Sequence, residues 1–163
     1  MRKLLLFLLP ALLLTACKDP EDTNAINAKS LVGTYKCTRR GTIFYYKDTS
    51  LSPTITSPID YTYDATITYL GDNRVQLDMG GIFTGSVGTY NGVGNAIVFD
   101  TYTASDSTEL LNVTFNINMD GFYGVGYSGL MEIHLDETYS GTAQGPEITY
   151  KVYGNGETHL IKK

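Results

Sequence analysis

The chain offers few residues whose type and spacing could do chemistry. Its two histidines, His134 and His159, stand 25 positions apart on separate alternating segments. His134 shares a strand face with Glu132 and Asp136, a grouping that suits an acid/base pair or an exposed metal contact and equally suits a solvated outer face. No HExxH, paired-cysteine or EF-hand spacing is present, so no resident metal is expected. Gly124-Val125-Gly126-Tyr127-Ser128-Gly129 spells G-x-G-x-x-G. A dinucleotide site needs a helix after that loop to hold the pyrophosphate, and Leu130 to Leu135 reads as a strand instead. Ser86 and Ser128 lie beside glycines without the spacing of a nucleophile elbow. Asp60, Asp64 and Asp78 could pair across strands as glycosidase carboxylates do, but such residues are common. Asn112-Val113-Thr114 fits a glycosylation sequon that strand alternation also produces. We therefore expect no catalytic residue, no cofactor and no enzyme activity.

The two cysteines belong to different settings. Cys37 alternates with Leu31, Gly33 and Tyr35 and reads as a small buried hydrophobe. Cys17 closes a leader in which Arg2 and Lys3 precede an apolar run, Leu4 to Leu14, broken by Pro10 and ending in Leu14-Thr15-Ala16-Cys17. That run is shorter than the roughly 20 residues of a membrane span, which favours a cleaved signal segment. The Leu-Thr-Ala-Cys ending resembles the lipobox of bacterial lipoproteins. The resemblance implies that residues 1–16 are removed and that Cys17 carries the lipid, so that the membrane becomes a permanent partner through two or more acyl chains. Cys37 then has no partner for a disulfide, and burial alone must hold the domain together.

Residues 17–30 form an acidic, polar stretch without apolar period, expected to act as a tether spanning about 20 Å as a random coil. Its opening, Lys18-Asp19-Pro20-Glu21-Asp22, is similar to the export signal of Bacteroidota surface lipoproteins, which implies an outer-membrane lipoprotein facing the cell exterior. Residues 31–163 suit one domain. Loss of Arg2 and Lys3 with the leader takes the formal charge from −5 to −7, and an acidic chain repels phosphate backbones. Nucleic acid is excluded as a partner on that ground, and Arg39-Arg40 and Lys162-Lys163 are expected to be solvated strand ends.

From Leu31 onward the period is two, with Gly, Asn and Asp as punctuation. The expected fold is all-β: a single antiparallel barrel of about 8–10 short strands, with a β-sandwich as the alternative. Leu31–Thr38 and Ile43–Lys47 flank a turn at Arg39-Arg40-Gly41, and Ser50–Asp60, with Pro53 and Pro58, reads as the longest loop. Tyr61–Leu70 and Arg74–Met79 make a hairpin around Gly71-Asp72-Asn73. Ile82–Tyr90 and Ala96–Thr103 follow, then a loop at Ala104–Thr108. Leu111–Met119 alternates most regularly, before a turn at Asp120-Gly121. Phe122–Tyr127, Leu130–Leu135 and Glu137–Ala143 come next, and a hairpin of Glu147–Tyr153 with Glu157–Ile161 turns at Gly154-Asn155-Gly156.

Leu31-Val32-Gly33-Thr34-Tyr35 places a glycine two residues before an aromatic on the first strand, behind a short leader. This resembles the opening of lipocalin-type, calycin-like barrels, with Tyr35 where the family has Trp and with no late Arg after Arg74. The resemblance implies a barrel, and the expected function is a binding module. Tyr35, Tyr63, Ile67, Tyr69, Phe115 and Ile117 are the candidate residues lining a site for a small apolar or amphiphilic ligand in the barrel or at its mouth. The rival is a structural or interaction lipoprotein whose barrel is filled, meeting a protein or glycan through exposed tyrosines or Ser50–Asp60. A transmembrane barrel is rejected, because its strands would be longer and more uniformly apolar outward.

Overall fold

Alternation of apolar and polar side chains produces nine β-strands among the described residues, 30–47, 50–80, 83–107 and 111–163 of the computed structural model. The leader, Cys17 and the rest of the tether up to residue 29 lie outside them, as does Ile82. The strands are β1 (Gly33–Lys47), β2 (Ile55–Gly71), β3 (Arg74–Asp78), β4 (Ser86–Asn91), β5 (Ala96–Phe99), β6 (Tyr102–Ser107), β7 (Asn112–Val125), β8 (Met131–Gln144) and β9 (Thr149–Lys162). They form one antiparallel sheet in the order β5-β4-β3-β2-β1-β9-β8-β7-β6. β5 and β6 share one edge of β7, Ala96–Val98 against Asp120–Phe122 and Tyr102–Ser107 against Asn112–Ile117. The β5–β7 pairing closes the sheet into a ring. Closure buries the edges that an open sheet would expose, and it gives one barrel rather than the two stacked sheets of a sandwich.

The β2–β3, β4–β5 and β7–β8 connections gather at one end, here the near end, where β1 begins. The β1–β2, β6–β7 and β8–β9 connections lie at the far end. Inside, Tyr35, Cys37, Ile67, Leu77, Ile97, Ile117, Ile133, Leu135 and Leu160 are fully or almost fully buried. Outside, polar rows cross the strands: Asn118, Thr138, Asn155 and Thr42 in one, Asp120, Asp136, Glu157 and Arg40 in the next. That alternation is the reverse of a lipid-facing apolar band.

Three expected turns are absent. Arg39-Arg40-Gly41, Asp120-Gly121 and Gly154-Asn155-Gly156 all lie within continuous strands, so β1, β2, β7, β8 and β9 run for 14–17 residues rather than being short. Glycine at these positions serves close approach rather than reversal. A Cβ at Gly121 would meet the His134 carbonyl oxygen at 1.9 Å, and one at Gly41 the Asn155 carbonyl oxygen at 2.3 Å. The turn between β8 and β9 is instead Gly145 to Ile148, closed by a 2.8 Å backbone bond between those two residues. Ser50–Asp60 is likewise shorter as a loop, because β2 begins at Ile55 and takes in Pro58 opposite Thr42. Proline is tolerated there because β3 pairs with β2 only from Thr66 onward, leaving that stretch an edge among the described residues. Ala104–Ser107 belongs to β6, not to a loop.

Candidate functional site

Of the six expected lining residues, four are core. Tyr35, Ile67 and Ile117 are at most 1% exposed and Phe115 is 6% exposed. Tyr35 also donates its hydroxyl to the Leu31 carbonyl, and Phe115 packs edge-on to Tyr139 with centroids 6.3 Å apart. Tyr63 is half-buried and directs its hydroxyl at the Met79 sulfur, 3.6 Å away. Tyr69 departs from the interior altogether. It is 44% exposed, beside the bulge where β2 shifts register into the Asp72-Asn73 turn. An eight-stranded ring has an interior just wide enough for side chains to fill, and here large side chains occupy it.

The interior also holds a charge that sequence patterning assigned to solvent. Arg39 is 2% exposed and Glu137 1%. The Arg39 Nε donates to both Glu137 oxygens, at 3.0 and 2.8 Å, and a terminal nitrogen lies 2.8 Å from Oε2. Thr158 and Tyr139 donate their hydroxyls to the same carboxylate, and Tyr139 also accepts from Arg39. Phe83, from the β3–β4 connection, lies over the guanidinium 3.5 Å from its carbon. Burial is the largest single influence and works against the Arg39 charge, but Glu137, Tyr139 and Tyr63 together outweigh it, and the guanidinium stays protonated with its pKa above the ordinary value. Gly41 and Gly156 stand in the same cross-strand row as Glu137 and leave room for this pair. Arg40, one residue on, points outward as expected and is mostly exposed.

At the far end the barrel presents a cleft of about 370 Å³ lined by Ile55, Leu111, Gly145, Pro146, Glu147, Ile148 and Tyr150. Most of this lining is apolar, and among the described residues Glu147 is its one charged side chain. Ile55 and Tyr45 are directly paired on β2 and β1, and Tyr45 is buried beside them.

On the outer face at the near end, the register of β7, β8 and β9 sets Phe122, His134 and His159 directly side by side. The two imidazoles stack with centroids 4.1 Å apart and planes at 18°, and Phe122 stacks on His134 at 5.0 Å. Both Nε2 atoms approach one oxygen of Glu132, at 3.5 Å from His134 and 3.2 Å from His159. The hydrogen bond with His159 chiefly, with His134 and Ser128 adding, holds the Glu132 carboxyl below its usual pKa.

Protein-family models, curated proteins and solved structures give no significant match to the chain. The sites therefore stand on their own geometry.

Among the described residues, the remaining chemistry-bearing side chains do not converge. Ser86 is buried on β4 and Ser128 hydrogen-bonds Glu132 at the β7–β8 turn. Asp60 pairs with Arg40 and Asp64 with Lys163, so neither faces the other as a glycosidase pair would. Cys37 is buried against the Met79 sulfur, and burial pushes its thiol up to about 11. The histidine pairing was hidden because Gly154-Asn155-Gly156 reads as a turn. Once the turn is moved to Gly145–Ile148, the pairing of Gln144 with Thr149 leads directly to His134 opposite His159.

Proposed function

We propose that this chain is a lipid-anchored envelope protein, carried on Cys17 and exposed at the cell surface, whose barrel binds one small apolar or amphiphilic molecule at its far end. The observation that carries the binding function is the far-end cleft. Its volume of about 370 Å³ lies within the roughly 300–1,000 Å³ range of small-molecule sites, and such sites combine apolar walls with a few polar groups. Ile55, Leu111, Pro146, Ile148 and Tyr150 supply the walls and Glu147 an anionic contact. The filled interior moves the ligand from the middle of the barrel to its mouth. Polar outer rows and the lipobox-like leader support a water-soluble body on a lipid tether.

Native mass spectrometry of the full-length protein purified from its own host tests the binding. A copurifying small molecule is expected, and it should be lost in Ile148→Lys, whose charge would enter the cleft. Wild type without any bound molecule, or equal retention by Ile148→Lys, would overturn it. A filled barrel that contacts a protein or glycan remains the second reading, favoured by the near-end β7–β8 hairpin, where Val125, Tyr127 and Leu130 are exposed. Protease added to intact cells should remove the domain if it faces outward.

A further inference from the structure

We propose that Glu132, His134 and His159 bind one divalent transition-metal ion of the zinc class on the outer face of the barrel. This is independent of the far-end cleft and of the lipid anchor. One ligand atom from each residue lies within 4.8 Å of the other two. A tetrahedral ion with bonds of about 2.0–2.2 Å holds its ligand atoms about 3.3–3.5 Å apart, and the two imidazole-to-carboxylate distances, 3.5 and 3.2 Å, already match. The remaining adjustment is a tilt of the two rings out of their 18° stack, so that both nitrogen lone pairs meet one ion.

The supporting contacts hold the three groups in place. His134 is stacked between Phe122 and His159, and the Ser128 hydroxyl donates to Glu132 at 3.3 Å. Gly126 leaves the space Glu132 needs, since a Cβ there would meet its Oε1 at 1.9 Å. All three ligands rise from β8 and β9 at register positions set by a continuous hydrogen-bonded ladder.

Local charge attracts a cation. In the next cross-strand row Asp120, Asp136 and Glu157 are direct neighbours, an arrangement of like charges that destabilises a sheet. Arg40, opposite Glu157, is engaged with Asp60 at 3.7 Å. A bound cation one row away offsets that repulsion. Two imidazoles and a carboxylate suit zinc, nickel or copper(II), whereas calcium and magnesium prefer oxygen ligands throughout. A cleft of about 290 Å³ lined by Phe122, Gly126, Tyr127, Glu132 and His134, among others, gives the ion room for a water ligand.

The test is titration of the untagged full-length chain in detergent, stripped with a chelator, with zinc chloride against a chromogenic competitor. One equivalent should bind, and zinc should raise the melting temperature. His134→Gln, His159→Gln and Glu132→Gln should each weaken binding at least ~10-fold, the lower bound set by losses from outer-shell changes at metal sites. Both histidine side chains are more than a third exposed, so the two histidine variants should melt like wild type without metal. Cobalt(II) in place of zinc should give the absorption of a four-coordinate nitrogen–oxygen site in wild type alone. Substoichiometric binding by wild type, undiminished binding by the His134→Gln/His159→Gln double variant, or loss of binding in Cys17→Ser would overturn the proposal.

Discussion

The buried Arg39–Glu137 pair sets two large effects against each other. Desolvating both ions costs several kcal/mol each, and their attraction compensates only if the remaining hydrogen-bonding positions are filled. Here Thr158, Tyr139 and the face of Phe83 fill them. Glu137→Gln should therefore destabilise the barrel by about 3–5 kcal/mol, because it leaves a guanidinium buried without its counter-charge. The double change Arg39→Met/Glu137→Leu should cost far less, since it removes both charges together. Urea denaturation of the two variants measures the difference, and equal losses would show that packing rather than charge governs the site. Cys37 makes a second residue-scale prediction. With its thiol pushed up to about 11 by burial, it should resist alkylation near neutral pH in the native protein and react fully once urea unfolds the chain.

Among the elements, glycine is what makes the long strands possible. β7 and β8 approach each other at Gly121 so closely that a methyl group would collide with the His134 backbone. Gly121→Ala should cost about 1–3 kcal/mol by overpacking, and should also disturb the His134 ring on the opposite strand, read by histidine chemical shifts. The β2–β3 connection depends on backbone shape instead: Asp72 and Asn73 both have positive φ, 47° and 61°. Two such residues make the primed turn whose twist matches a hairpin. Asn73→Val should lose about 1–2 kcal/mol, the cost of a left-handed conformation for an ordinary residue, while Asn73→Gly should be nearly neutral in the same denaturation assay.

For the whole molecule, buried tyrosines set the alkaline limit. Burial raises the phenol pKa of Tyr35, Tyr63 and Tyr139 well above the ordinary 10.0, and Tyr45 and Tyr123 shift in the same direction. The folded state thus keeps protons that the unfolded state releases. Their stabilising effect is fully present below pH 10 and falls as pH rises beyond it. The urea midpoint should be insensitive to these groups between pH 7 and about 9 and fall steeply above about 10, with tyrosinate absorbance appearing together with unfolding. Tyrosinate absorbance from these residues ahead of unfolding would contradict their burial.

Period-two alternation alone determined that this is an all-β chain, because side chains of a strand must alternate between core and water whatever their neighbours; the choice of a barrel over a sandwich came from the β5–β7 pairing. Alternation also determined that Tyr35, Ile67, Phe115 and Ile117 share an apolar side, whereas Arg39 was assigned to solvent because a charge is usually exposed. Glycine was ambiguous in sequence, since the missing Cβ that permits a turn also permits two strands to touch. Only the tertiary structure decided that Gly121 and Gly156 lie inside strands, that the interior is filled, that Arg39 meets Glu137 98 positions away, and that His134 lies against His159. Each of these depends on strand register, and register is settled by packing around the whole ring rather than by any local run of residues.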